Sequence, residues 1–137
     1  MYIFLINALK IIFLLGFLIL IHEGGHFLAA RLCKIKVKEF AIGFGKTIWQ
    51  KQGYYTKYTL RLIPLGGYVN MLGEEERVDE VGSYSKASIP KRVFVILAGA
   101  AINILFRIMD ILYLFWFWRN IKFMWFHYRG IERFVYR

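Results

Sequence analysis

The chain has 137 residues, a hydrophobic fraction of 58% and a formal net charge of +10. Its length allows one domain at most, and its hydrophobic fraction exceeds what a soluble domain of this size usually carries. Twelve of the 19 Lys and Arg residues lie between two apolar runs, within residues 31–92, and do not form the basic stripe on a soluble fold that binds nucleic acid. We therefore predict a membrane protein whose partner is the lipid bilayer, with no nucleic acid partner.

The first apolar run, residues 2–21, predicts a membrane-spanning helix, because it reaches the roughly 20 residues that a bilayer requires. No basic segment precedes the run and no small-residue cleavage site ends it. We interpret it as a retained helix and not as a cleaved signal peptide. Helix-forming residues continue beyond it, so the first transmembrane helix is assigned to residues 1–34.

The motif His22-Glu23-Gly24-Gly25-His26 follows this apolar run directly. Histidines four residues apart project from one helix face, where two imidazoles can hold two positions of a tetrahedral zinc ion. The glutamate beside the first histidine can act as a base on water. The alternative is that both histidines simply pack. The two glycines lower helix propensity, which indicates close approach of another backbone or a substrate, or merely tight helix packing.

Residues 35–73 predict a small antiparallel sheet associated with the membrane. Apolar and charged residues alternate over 35–40, and the alternation resumes over 54–63 and 68–71. Turns are expected at Gln52-Gly53 and around Pro64. We predict strand, turn, strand, turn, strand, with a free edge that could add an extended peptide.

A polar segment and a second apolar run complete the chain. Residues 74–92 predict a loop, and the positive-inside rule places residues 35–92 on the cytosolic side. Residues 93–118 predict a second transmembrane helix. Asn103 in this helix either bonds to a neighbouring helix or steadies a substrate backbone.

The end of the chain is less regular. Arg107 and Asp110 are spaced to pair on one helix face, and Asp110 is a weaker candidate for a metal ligand. Residues 119–137 are an aromatic and basic tail that we assign to no element. The fold class predicted for the whole chain is a membrane protein of the α+β type, with two transmembrane helices flanking a small antiparallel, membrane-associated β-sheet.

These motifs together resemble the site-2 protease family of intramembrane zinc metalloproteases, in its bacterial regulator-of-sigma-E protease branch. The matching stretches are His22 to Arg31, Phe40 to Gly45, Tyr58 to Glu74, and Lys91-Arg92 leading to Ala98-Gly99 and Asn103. The resemblance covers about residues 5 to 105, and several motifs occur in the family's order.

The resemblance implies roles for individual residues. By it, His22 and His26 bind Zn²⁺ and Glu23 is the catalytic base. It implies substrate-binding roles for Gly66, Gly67, Tyr68 and Asn103. It further implies an endopeptidase of the bacterial inner membrane, multi-pass, that cleaves transmembrane regulatory proteins, its substrates being anti-sigma-factor-like or signal-peptide-like segments.

The sequence also departs from the family pattern. Ala100 stands at the proline of the Gly-Pro-x-x-Asn motif, and Lys46 stands where a proline often follows Gly-Phe-Gly. The family continues through a PDZ region to a helix whose Asp-Gly motif supplies the third zinc ligand, and this sequence contains neither. We therefore expect the N-terminal portion of such a protease, truncated and binding zinc weakly. The alternatives are an inactive remnant that binds transmembrane peptides without cleaving them, and a small basic membrane protein without a metal.

Overall fold

The computed structural model describes the backbone of residues 2–135 and the side chains of residues 2–122. It contains a helix α1 (Tyr2–Leu32), two strands β1 (Val37–Gln52) and β2 (Lys57–Met71), and a helix α2 (Ile89–Val135). The chain forms two compact units, residues 1–103 and residues 104–137. The first unit holds α1, the sheet and the start of α2.

Helix α1, predicted over residues 1–34, spans Tyr2–Leu32 and ends in a Schellman motif. The Lys34 N–H donates to the Arg31 carbonyl at 3.0 Å, and the Ile35 N–H donates to the Ala30 carbonyl at 2.8 Å. Lys34 has a φ of 60°, the left-handed conformation that this motif requires and that glycine usually supplies. The accompanying apolar contact is present, because Ala30 and Ile35 belong to the same buried cluster.

The prediction of three strands is wrong, because β1 and β2 are two long strands that bend without ending. Residues 39–42 pair with residues 67–70 on one edge and with residues 57–60 on the other, while residues 47–52 pair with residues 57–61. The hairpin therefore folds back on itself, so that four segments lie side by side. Glycines with positive φ mark the bends, and they curve the ladder without breaking it.

The predicted turn at Gln52-Gly53 is confirmed, whereas the turn predicted around Pro64 is a bend inside β2. The Gly53 N–H donates to the Thr56 carbonyl at 2.9 Å and closes the hairpin loop. At the second position Phe44 still pairs with Ile63, so pairing continues up to Pro64. Residues 67–71 thereby come to lie at one edge of the sheet, next to α1.

The two helices cross closely at Gly25. A Cβ placed there would lie 2.6 Å from the Ala98 carbonyl oxygen and 2.7 Å from Ile102 Cγ2. The close approach expected at the two glycines of the motif is thus present at Gly25, and its partner is α2. Gly24 has nothing within 4 Å of such a Cβ.

The buried core is small and lies where α1, the sheet and α2 meet. Its buried side chains are Ala29, Ala30, Ile35, Val37, Val69, Met71 and Val95. Large apolar side chains elsewhere on both helices are exposed, for example Phe13 at 72%. By length and composition the segments Tyr2–Leu32 and Ile89–Lys122 are each apolar enough to cross a membrane.

In the second unit, the predicted pair on α2 forms, with Arg107 Nη1 3.8 Å from an Asp110 carboxylate oxygen. The Lys122 ammonium group lies 4.0 Å from the centre of the Trp118 ring. The helix continues beyond residue 118, where the prediction ended it. The side chains of residues 123–137, most of the predicted tail, lie outside the described residues.

Candidate metal centre

The imidazoles of His22 and His26 converge on α1, as their spacing predicts. Their Nε2 atoms are 3.2 Å apart, and the rings meet edge to face with centroids 4.9 Å apart. Both side chains are half-buried beside the start of α2. Glycine is required opposite them, since a Cβ on Gly99 would overlap His26 Nε2 and lie 2.8 Å from His22 Nε2.

Helix α2 also supplies a partner to the other nitrogen of each ring. The Nδ1 atom of His26 is 2.7 Å from the Val95 carbonyl oxygen. Because a carbonyl only accepts, Nδ1 of His26 carries the proton and its Nε2 keeps a lone pair. The Nδ1 atom of His22 lies 3.4 Å from the Asn103 side-chain amide. Such outer partners fix the tautomer and orientation of metal-binding histidines.

This arrangement fits a zinc ion. Zinc binds histidine nitrogens at about 2.0–2.1 Å in a tetrahedral geometry, which places two such nitrogens about 3.3 Å apart. The observed separation of 3.2 Å is close to that value. Without a cation, one ring can donate a proton to the other across the same distance, whereas a metal needs a lone pair on both Nε2 atoms. The pair is therefore suited to supply two ligands.

A cavity of about 260 Å³ lies beside His26. Glu23 and His26 line one side of it, residues 67–69 and Met71 line another, and Val95 and Ile96 of α2 close it. Apolar walls with a carboxylate and an imidazole are the usual make-up of a binding pocket. The cavity gives a substrate group room directly beside Glu23.

Two of the residues predicted to bind substrate have structural positions that explain why they are glycines. A Cβ on Gly67 would lie 3.1 Å from Glu23 Cγ and 2.9 Å from the Ala41 carbonyl oxygen. Gly67 therefore makes room for Glu23 against the sheet. Gly66 has a φ of 129°, and a Cβ there would overlap the ring of Phe44. Substrate binding by either residue stays a prediction.

Tyr68 lines the cavity and belongs to a polar cluster on the sheet. Its hydroxyl accepts a hydrogen bond from Arg61 at 2.9 Å, and the Thr59 hydroxyl donates to the Glu39 carboxylate at 2.6 Å. Lys57 and Arg61 lie 3.6 Å and 3.9 Å from the same carboxylate. The cluster ties the strand segments together on the face opposite Phe40.

Ionisation within this cluster is shifted. Partial burial by itself raises the pKa of Glu39, but hydrogen bonds from Thr59 and Tyr68 and the charges of Lys57 and Arg61 outweigh it, so that the pKa lies below its ordinary value. Burial raises the pKa of Tyr68, and the hydrogen bond to Glu39 and the charge of that carboxylate add to this effect. Tyr68 therefore stays protonated at neutral pH and donates a hydrogen bond to Glu39.

The third ligand of a catalytic zinc is not found among the residues whose side chains are described, since no group of three or more His, Cys, Asp or Glu there could hold a metal. The carboxylate of Asp110 is engaged with Arg107. The sequence singles out the two histidines, Glu23 and Asn103, and their roles in metal binding, catalysis and substrate binding stay predictions. It does not identify the Val95 carbonyl, which no residue type reveals, or Gly99, although the small-residue patch containing it was noted.

Residues 10–132 match the family model of Peptidase family M50. Among named relatives, a candidate zinc metalloprotease of Vibrio cholerae is 45% identical over 109 residues, which are 74% of this chain and 24% of that protein. Regulator of sigma-E protease RseP of Salmonella typhimurium is 41% identical over 109 residues, with the same coverage of both.

A third relative, the regulator of sigma E protease of Haemophilus influenzae, is 44% identical over 110 residues, covering 77% of this chain and 25% of the relative. The chain therefore spans about a quarter of the length of the curated relatives it matches. The match of the family model extends over most of the chain and includes the histidine pair and Asn103. The chain belongs to peptidase family M50.

Proposed function

We propose that this chain provides the zinc-binding and proton-transferring part of an intramembrane endopeptidase. His22 and His26 are the zinc ligands and Glu23 is the general base. The observation that carries the proposal is the 3.2 Å separation of the two Nε2 atoms, with a hydrogen-bonding partner behind each ring. The names of the relatives, which include zinc metalloprotease, support it.

The residues of the chain divide the chemistry between them. A bound zinc supplies Lewis acidity that polarises a peptide carbonyl and acidifies water. Glu23 then takes a proton from the attacking water and can return it to the leaving amine. The Val95 carbonyl holds the His26 ring in place during these steps.

The substrate class is a transmembrane segment of a regulatory protein, either anti-sigma-factor-like or signal-peptide-like. Two of the relatives are named as regulators of sigma E. A helical segment must unwind before a peptide bond can be attacked, and an extended peptide can pair with a free sheet edge. Residues 67–69 border the cavity on that edge, and we assign substrate contacts to Gly66, Gly67, Tyr68 and Asn103.

We further propose that the chain is multi-pass, with α1 and the apolar part of α2 crossing the bacterial inner membrane and residues 35–92 on the cytosolic side. Two apolar helices and the excess of Lys and Arg between them support this arrangement. A catalytic zinc takes three protein ligands, so the third comes from a segment other than the two histidines.

Zinc content tests the metal site. Wild-type protein in detergent should bind added zinc weakly, as expected for two protein ligands, and mass spectrometry of the metal measures the amount bound. Removing a residue that is hydrogen-bonded to a metal ligand weakens metal binding roughly 10–100-fold. His26→Ala should weaken zinc binding by more than this, because it removes a ligand itself. Equal zinc contents in the two proteins would contradict the proposal.

Cleavage of a model transmembrane peptide tests the catalytic role. Glu23→Gln should retain zinc and lose cleavage, since the amide cannot take the proton. A wild-type protein that binds zinc and peptide but does not cleave would favour the alternative function, a peptide-binding protein without activity. The specific observation in favour of that alternative is that the described side chains supply two ligands and not three.

A further inference from the structure

Asn103 faces the ring nitrogen of His22 that points away from His26. Its Nδ2 atom lies 3.4 Å from His22 Nδ1, and its Oδ1 atom is buried with no hydrogen-bond partner among the described residues. A buried amide oxygen without a partner is costly. The oxygen and nitrogen of an asparagine amide exchange places on a half-turn of the group, and their assignment follows from the hydrogen-bond network.

The two orientations of this amide correspond to the two neutral tautomers of His22. With Nδ2 towards the ring, His22 Nδ1 accepts a hydrogen bond, and His22 Nε2 carries the proton and donates it to His26 Nε2 at 3.2 Å. With Oδ1 towards the ring, Nδ1 donates and Nε2 keeps its lone pair. Only the second arrangement presents two lone pairs to a cation.

The partner of His26 has no such freedom. The Val95 carbonyl, at 2.7 Å from His26 Nδ1, can only accept, so the neutral His26 ring keeps its lone pair on Nε2 in both orientations of the Asn103 amide. The two histidines therefore differ. The Val95 carbonyl fixes the tautomer of His26, whereas the Asn103 amide can hydrogen-bond to either tautomer of His22. Gly99 leaves no side chain between the two Nε2 atoms and α2.

We propose that Asn103 is a positioning residue that sets the tautomer of His22, and that its amide turns from the donor to the acceptor orientation when a cation occupies the site. This inference rests on the proposed zinc-binding function. It assigns to Asn103 a contact with His22 in place of the contact with substrate that the family resemblance implies.

Zinc affinity of three variants provides the first test, measured by competition with a chromophoric chelator. Asn103→Leu keeps the approximate volume without a polar group and should weaken zinc binding by about 10–100-fold, the usual effect of losing an outer partner. Asn103→Asp should bind at least as tightly as the wild type, because a carboxylate accepts from Nδ1–H in every state. Asn120→Leu, a half-buried asparagine on the same helix, is the matched control and should have no effect.

The tautomer itself provides a measurement that a merely structural role would not change. In ¹⁵N NMR spectra of the histidine rings, metal-free wild type should show the His22 proton on Nε2, and zinc should move it to Nδ1. Metal-free Asn103→Asp should already show it on Nδ1. Equal zinc affinities for wild type and Asn103→Leu, or one His22 tautomer in all metal-free proteins, would overturn the proposal.

The experiments distinguish a failure of the proposed zinc-binding function from a failure of the proposed role of Asn103. If the wild type binds no zinc, the proposed function fails, whereas the tautomers of the metal-free proteins still decide the role of Asn103. If zinc binding is intact in Asn103→Leu but affinity for a transmembrane peptide falls, Asn103 contacts substrate and the positioning role is wrong.

Discussion

At the scale of single residues, the site requires residue 99 to be a glycine, which has no Cβ atom. The two Nε2 atoms converge on Gly99, where any side chain would fill the space between α2 and the rings. The spacing of His22, Glu23 and His26, together with the family resemblance, predicts two zinc ligands and a base. The Val95 carbonyl and Gly99 could not be predicted in the same way, because their roles arise from how α1 crosses α2 and not from a side-chain type.

Gly99→Ala should abolish or strongly weaken zinc binding while the helices still form. The added methyl group would overlap His26 Nε2 and lie 2.8 Å from His22 Nε2, so the rings could not keep their separation. The matched control is Gly24→Ala on α1, where the methyl group meets nothing within 4 Å. That control should retain zinc and gain roughly 1 kcal/mol of stability from helix propensity. Comparable zinc content in both variants would show that the space at Gly99 is not needed.

At the scale of elements, the bend in the β1–β2 hairpin places the sheet edge formed by residues 67–71 beside the histidines' helix α1. The alternation in residues 35–40 and 54–63 predicted strands in the right places, and the breaks at glycine and proline suggested strand ends. The chain instead curves through those positions with pairing kept, for example between Phe44 and Ile63. Residues 39–42 pair on both edges, and this doubled pairing depends on the bend, which the local period of two does not encode.

Glu39 should make the stability of this sheet depend on pH. Its folded-state pKa lies below its ordinary value, so its contribution is present above the unfolded pKa of about 4.3 and is lost as the pH falls through the folded pKa. Glu39→Gln should therefore lower the melting temperature at pH 7, and its difference from wild type should narrow as the pH is lowered towards 3. Thermal unfolding in detergent between these values measures the effect.

The control for this prediction is Glu76→Gln, which removes an exposed carboxylate of the loop that follows β2. Its melting curve should follow that of the wild type at each pH. If Glu39→Gln and the wild type lose the same stability on acidification, the charge on Glu39 does not hold the sheet.

At the scale of the whole molecule, charge and hydropathy divide the chain in the same way. Two apolar helices enclose a segment that carries twelve of the 19 Lys and Arg residues, and the exposed apolar surface of α1 has no protein cover among the described residues. The helices were predictable because a membrane span is a property of composition and length. The small residues predicted close helix packing without showing which of them would make the contact. Gly25 packs against α2, and Gly24 does not.

Cysteine labelling tests the proposed orientation. Cys33 is the only cysteine, so Cys33→Ser gives a background in which Glu76→Cys adds one exposed thiol on the loop. A membrane-impermeant maleimide should label it in inside-out vesicles and not in right-side-out ones, because the positive-inside rule places residues 35–92 in the cytosol. Labelling in intact right-side-out vesicles alone would reverse the orientation.

X-ray absorption at the zinc edge of the purified, zinc-loaded chain tests whether His22 and His26 bind the metal. The arrangement of His22 and His26 predicts two imidazole nitrogens at about 2.0–2.1 Å from the metal. That signal should disappear in the double variant His22→Ala, His26→Ala, since each imidazole supplies one of the two nitrogens. A spectrum with only oxygen scatterers, or an imidazole signal that survives the double substitution, would show that this pair is not the zinc site.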